Sequence, residues 1–215
     1  MATVEALRDI IIGSINDDSY TDEQIDRLIN QAIRKTSAMV LLPVLERSDA
    51  VITVFATPYV DVPDDFGHNL FAAATTAGSV DVLASMRLLL DEYPLFGVTD
   101  ETGDIQHCCL SGTQIAIHPV PVAVTSMRLF YHTWPETLAD TDDVNQYITD
   151  EAIQEDIIFN YALWKLHKGI EDGLEGAMNN TAYHEAQFKN AVRALGATIR
   201  QGQSRPTPQR KTWGI

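Results

Sequence analysis

Residues 105–131 read IQHCCLSGTQIAIHPVPVAVTSMRLFY, and the period of this stretch decides the fold. Three runs, Ile105–Leu110, Thr113–His118 and Thr125–Tyr131, have β character, and Ser111-Gly112 is a two-residue link of the kind that closes a hairpin. Pro119 and Pro121 then force a longer turn. Because proline cannot donate to a ladder, they predict that the third run lies at a sheet edge.

Working outward toward the N-terminus, Val51, Thr53 and Phe55 alternate with Ile52 and Val54. Tyr59, Val60 and Val62 follow Pro58, and Val62-Pro63-Asp64-Asp65-Phe66 closes this second short strand. Residues 68–77 fit either a strand or a helix. From Ser79 to Tyr93, Val82, Leu83, Met86, Leu89 and Leu90 recur at helical spacing and predict a short helix stopped near Pro94.

Both flanks of this region are helical. Val4, Leu7, Ile11 and Ile15 mark a first helix, and Thr21-Asp22-Glu23-Gln24 is a capping box that opens a second. Behind that box Ile25, Leu28, Ile29, Ala32, Ile33 and Val40 form one stripe, with Pro43 as the stop. Residues 136–156 are an acidic loop running into a helix that carries Ile153, Ile157, Tyr161 and Trp164. A last helix after Thr181 spaces Phe188, Val192, Leu195 and Ile199 by four, three and four. The predicted class is α+β, mainly α: a four-helix core (residues 1–46 and 147–202), a β-rich insertion (47–146) and an extended C-terminal arm (203–215).

The chain has 215 residues, 45% apolar and 21% charged, an ordinary soluble composition with a net charge of −15. Four of the fifteen cations and none of the thirty acids fall in residues 200–215, so the first 199 residues carry −19. Such a body repels phosphate backbones and disfavours groove binding of DNA, while letting DNA pass close by. No apolar run reaches the length of a membrane span, and Glu5 and Asp9 stand where a signal peptide would carry cations. A protein that is soluble, unexported and made in the cytoplasm is expected. Cys108 and Cys109 are adjacent and cannot staple distant segments, which fits a reducing compartment.

The chemistry-bearing residues are sparse. On a strand, His107 and Cys109 share a face and Cys108 points away, so two ligands converge where structural zinc wants four. Asp140-Thr141-Asp142-Asp143 starts like a calcium loop but continues with Val144 and lacks the required glycine. Asp61, Asp64 and Asp65 read as turn formers at a strand end. With a nearby histidine, they are also the basis of an alternative reading, a metal-dependent hydrolase. His184-Glu185 lacks a second zinc-protease histidine, and no nucleophile elbow, phosphate loop or dinucleotide fingerprint occurs. A non-enzymatic protein without cofactor or metal is therefore expected. The arm stands out instead: Arg205, Arg210, Lys211, Trp213 and Ile215 accompany two prolines and no apolar period. This composition suits a segment ordered by a partner.

The order of segments resembles the head-to-tail adaptor (neck, or head-completion) proteins of tailed bacteriophages. Thr21-Asp22-Glu23-Gln24-Ile25 with Asn30-Gln31-Ala32 is similar to the family's second helix. Tyr59-Val60-Asp61-Val62-Pro63-Asp64-Asp65-Phe66 resembles its Tyr-x-Leu-Pro-x-Asp-Phe strand end, with Val62 in place of leucine. Ile117-His118-Pro119-Val120-Pro121, then Met127–Tyr131 and Pro135-Glu136-Thr137-Leu138, and finally the acidic linker into the helices, complete the match. The resemblance implies a structural virion protein that forms a ring, normally of twelve subunits, beneath the portal and lines the DNA channel. It also implies a downstream neck or tail partner, and assigns portal contact to Arg205, Arg210, Lys211, Trp213 and Ile215. Another ring-forming part such as a tail terminator is the alternative within the virion.

Overall fold

A computed structural model describes residues 3–15, 20–98, 101–171 and 179–203. The chain divides into two compact units, residues 1–44 with 135–215, and residues 45–134. In chain order the elements are α1 (Val4–Ile15), α2 (Asp22–Met39), β1 (Glu46–Ile52), β2 (Tyr59–Asp61), β3 (His68–Thr75), β4 (Gly78–Leu83) and α3 (Met86–Glu92). There follow β5 (Thr102–Gly103), β6 (His107–Ser111), β7 (Gln114–His118), β8 (Val120–Pro121), β9 (Ser126–His132), α4 (Glu151–Glu171) and α5 (Asn179–Gln203).

In the helical unit, α2 starts at the expected capping box: Thr21 Oγ1 accepts from Gln24 N at 3.4 Å, and Gln24 Oε1 accepts from Thr21 N at 3.1 Å. Two orphan amides are thereby satisfied. Ile25, Ile29, Ala32 and Ile33 form its buried stripe, matched by Val4, Leu7 and Ile11 on α1 and by Ile157, Ile158 and Leu163 on α4. Phe188 of α5 is buried against Tyr161 and Trp164, with ring centroids at 5.2 and 6.0 Å. Burying a side chain of this size contributes about 2–3 kcal/mol. The start of α5 is tied to the end of α4, because the Glu171 carboxylate accepts from Thr181 Oγ1 at 2.6 Å and from the Thr181 and Asn180 amides. These bonds, chiefly the hydroxyl, hold the Glu171 carboxyl below the usual range.

The other unit is a mixed seven-stranded sheet, curled, in the order β1-β9-β3-β4-β6-β7-β2, beside a two-stranded pair of β5 and β8. The hairpin at Ser111-Gly112 is present, joining β6 to β7 with Cys109 opposite Ala116, and Gly112 takes the φ of +64° that its turn requires. One face of the sheet packs Ile115, Ile117, Met127 and Leu129 around Tyr131. On the opposite face α3 sets Leu89 against Cys109, Ala116 and Phe96.

This architecture overturns the expected four-helix core with a β insertion. The chain has five α-helices among its described residues, one of them in the sheet unit, and the strands form a domain with cores of their own. Residues 68–77, which fit two periods equally, form β3 and the turn that pairs it antiparallel with β4. The expected helix from Ser79 is instead strand to Leu83 and helix only from Met86, with Ser85 as its N-cap. Val82 lies two from Val80 and is also in helical phase with Met86 and Leu89, so helical spacing masked the alternation. Nor does the third run lie at an edge. β9 sits between β1 and β3, and the edges are β1 and β2. The prolines act before β9 begins, Pro121 ending β8, which pairs with β5 outside the main sheet.

Candidate functional site

Among the described residues, most side chains that could carry chemistry have a structural role. Cys108 and Cys109 are both fully buried and pack into opposite faces of the sheet. Burial, reinforced by Cys109 and Asp81, pushes the Cys108 thiol up to about 12, and burial raises Cys109 as well. Both thiols of the native protein are therefore expected to react with a disulfide reagent at least roughly a hundredfold more slowly than in denaturant. Fast labelling without denaturant would contradict this packing. His107 faces His118 across the hairpin, and the ring of Tyr93 lies 5.4 Å from the first and 3.8 Å from the second.

The acidic clusters are dispersed in the same way. Asp61 accepts from Gln114 Nε2 at 2.9 Å, Asp65 accepts from the Tyr131 hydroxyl, and Asp64 is exposed. Burial first, then the Asp65 hydrogen bond, raises the Tyr131 phenol above its ordinary value. In the acidic loop, Asp142 accepts from the Ala139 amide and Asp143 from the Asn145 amide. The loop carbonyls of Asp142 and Asp140 take the Val4 and Glu5 amides, which the first turn of α1 leaves unpaired. Among the described residues no group of three or more His, Cys, Asp or Glu stands in a metal-holding arrangement. His184 Nδ1 lies 3.0 Å from Asn160 Oδ1, and its ring stacks on His167 at 5.4 Å. Burial, and then the neighbouring His167, lower its pKa.

Sequence reasoning missed Arg8, a buried cation in α1 that grips α2 and the acidic loop. Its Nε and Nη2 reach both Asp26 oxygens at 2.7 and 2.6 Å, and Nη2 also reaches Asp140 at 2.6 Å. These bonds raise the guanidinium pKa further, Asp26 most strongly. The only sequence signal is that residue 8 follows Leu7 and lies within one turn of Ile11, on the inward side of the helix.

Among the described residues, apolar groups reach solvent at several places, two of which are a cluster in the sheet unit and a cleft in the helical unit. In the sheet unit, Ile52, Val54 and Phe55 stand beside Val122 and Val124, all more than half exposed. Thr53 and Thr125 clasp the two loops with N–H to carbonyl and N–H to hydroxyl bonds of 2.9 and 3.0 Å. In the helical unit a cleft between α1 and α4 is lined by Leu7, Ile10, Ile11, Phe159, Glu155 and Asp156. The sheet unit is strongly acidic, with eleven acids against Arg47, Arg87 and Arg128. The sequence-predicted contacts Arg205, Arg210, Lys211, Trp213 and Ile215 lie outside the described residues. No helix among the described residues is long and apolar enough to cross a membrane.

Among the described residues, the polar side chains named above serve local structure, and an apolar cluster in the sheet unit and a cleft in the helical unit face solvent. The chain matches the family model described as SU10 adaptor protein over residues 2–212, and it belongs to that family, a phage head-to-tail adaptor family. No curated protein matches it.

Proposed function

We propose that this protein is a non-enzymatic virion component that assembles as a ring of about twelve copies beneath the portal and joins the DNA-filled capsid to the tail. The family match across residues 2–212 carries this reading. The helical unit builds the ring, and residues 203–215 reach the portal with Arg205, Arg210, Lys211, Trp213 and Ile215 as contacts. The sheet unit, with its apolar tip, faces the downstream neck or tail component. The protein is made in the host cytoplasm and uses no cofactor.

Charge supports the channel role. A body of −19 repels phosphate, so DNA slides past without adhering, whereas a basic lining would hold it through counterion release. Removal of residues 203–215 should abolish co-sedimentation with the cognate portal while circular dichroism and the unfolding midpoint stay unchanged. Undiminished portal binding by this truncation refutes the arm's role. Electron microscopy of the intact protein mixed with portal tests the ring.

A further inference from the structure

The first half of α4 and the adjoining face of α1 are acidic and grooved. A cleft of about 220 Å³ between them has Leu7 and Ile11 buried at its floor, Phe159 half-buried beside them and Ile10 50% exposed at its mouth. Its charged lining is Glu155 and Asp156, both exposed. From Glu151 to Asn160, α4 holds three acids and no cation. A cavity of ~150 Å³ lined by Leu, Ile and Phe accepts a group the size of benzene, so the cleft has room for one apolar side chain. Acids at its rim favour an occupant that carries positive charge beside that side chain.

The same helical unit presents a complementary surface. Lys35 and Met39 lie four residues apart on α2, hence on one face, and both are exposed, Met39 to 46%. Lys168 and Lys35 stand close enough to Lys165 that, after burial, their charges lower its pKa. Three ammonium groups from α2 and α4 are thus gathered in one region, and an acidic partner relieves their mutual repulsion. Methionine suits the cleft because it is unbranched, fills irregular apolar gaps and gains from contact between its sulfur and an aromatic ring, which Phe159 offers.

Both surfaces stand on packed helices. Ile25, Ile29, Ala32 and Ile33 fix α2, while Leu7 and Ile11 fix α1 and Ile157 and Ile158 fix α4. Met39 is exposed and the cleft is open, so the two do not meet within one chain. Two different patches that fit each other join copies head to tail, the kind of contact that repeats into a ring.

We propose that the helical units of successive copies join through these surfaces: Met39 of one copy enters the α1–α4 cleft of the next, and Lys35 and Lys168 meet Glu155 and Asp156. This assignment rests on the ring reading above and names the faces that build the ring.

The test mixes two full-length variants, Met39→Cys and Ile10→Cys, with portal and a short bismaleimide. Cys108 and Cys109 are buried and stay out of the reaction. Covalent dimers should form roughly tenfold more in the mixture than with either variant alone, and equal yields overturn the proposal. A second arm reverses charge. Lys35→Glu/Lys168→Glu and Glu155→Lys/Asp156→Lys should each cut assembly on portal by roughly tenfold, and a chain carrying all these changes should recover it. All of these positions are exposed, so each variant keeps its fold. A combined variant that assembles no better than its two parents overturns the pairing. Electron microscopy of the intact protein with portal separates this contact from the ring itself. Rings without the mixed crosslink refute the contact and leave the ring standing, crosslinked dimers without rings refute the ring and leave the contact, and the absence of both refutes both.

Discussion

Replacing Arg8 with methionine is expected to lower the unfolding free energy of the helical unit by about 3 kcal/mol. The side chain is only 9% exposed and sits among Asp22, Asp26 and Asp140. Methionine fills much of the same volume, so the loss reports the charge and not a cavity. Three carboxylates would then face one another without a cation, and the clamp joining α1, α2 and the loop would open. The cost stays at the lower end for a broken buried pair because Asp22 and Asp140 are 69% and 63% exposed and water takes over part of their solvation. Asp140→Asn should cost under about 1 kcal/mol for the same reason. Arg8→Lys should fall between, since an ammonium keeps the charge but cannot bridge both Asp26 oxygens with a planar fork. Urea unfolding followed by far-UV circular dichroism measures all three. A methionine variant as stable as the parent would show that the clamp is solvated enough to be dispensable.

The readings that succeeded depended on signals contained within a few residues. A capping box is a local hydrogen-bond exchange, and Thr21 to Gln24 predicts the start of α2 at Asp22. Ser111-Gly112 likewise predicts the β6–β7 hairpin, because the turn and its glycine are adjacent in sequence. What could not be read was pairing at long range. β1 lies against β9 in a register that joins Glu46 to His132, and β4 runs parallel to β6 with α3 between them in sequence. No local pattern fixes such neighbours, so the strands looked like an insertion and not like a sheet with its own core. The acids at 140–143 were legible as a loop but not as the partner of Arg8, since that pairing needs α1 and the loop brought together across the sequence. The arm was legible only as composition, which is why Arg205, Arg210, Lys211, Trp213 and Ile215 remain a proposal.

Gly67→Ala should destabilise the sheet unit by roughly 3 kcal/mol, at the upper end for a single added methyl group. Gly67 follows the strand-end sequence Val62-Pro63-Asp64-Asp65-Phe66, whose parts anchor a turn: Phe66 packs on Tyr131 at 5.4 Å and Asp65 accepts the Tyr131 hydroxyl. Gly67 then donates its amide to His132 O at 3.1 Å, laying the backbone directly on the end of β9. A Cβ at this position would lie 2.5 Å from Trp134 N, 2.6 Å from Thr133 C and 2.9 Å from His132 O. All three are backbone atoms, so no side chain can rotate away, and relief requires β9 to part from the turn. The Gly67–His132 hydrogen bond and the Phe66–Tyr131 contact would loosen together. Gly112→Ala provides the comparison: nothing lies within 4 Å of the added Cβ, and only its φ of +64° is penalised. That substitution should cost about 1–2 kcal/mol. Near-ultraviolet circular dichroism of the aromatic cluster and the denaturation midpoint should both move further for Gly67→Ala than for Gly112→Ala. An alanine at 67 that leaves both unchanged would mean that β9 and the turn do not meet as closely as 2.5 Å implies.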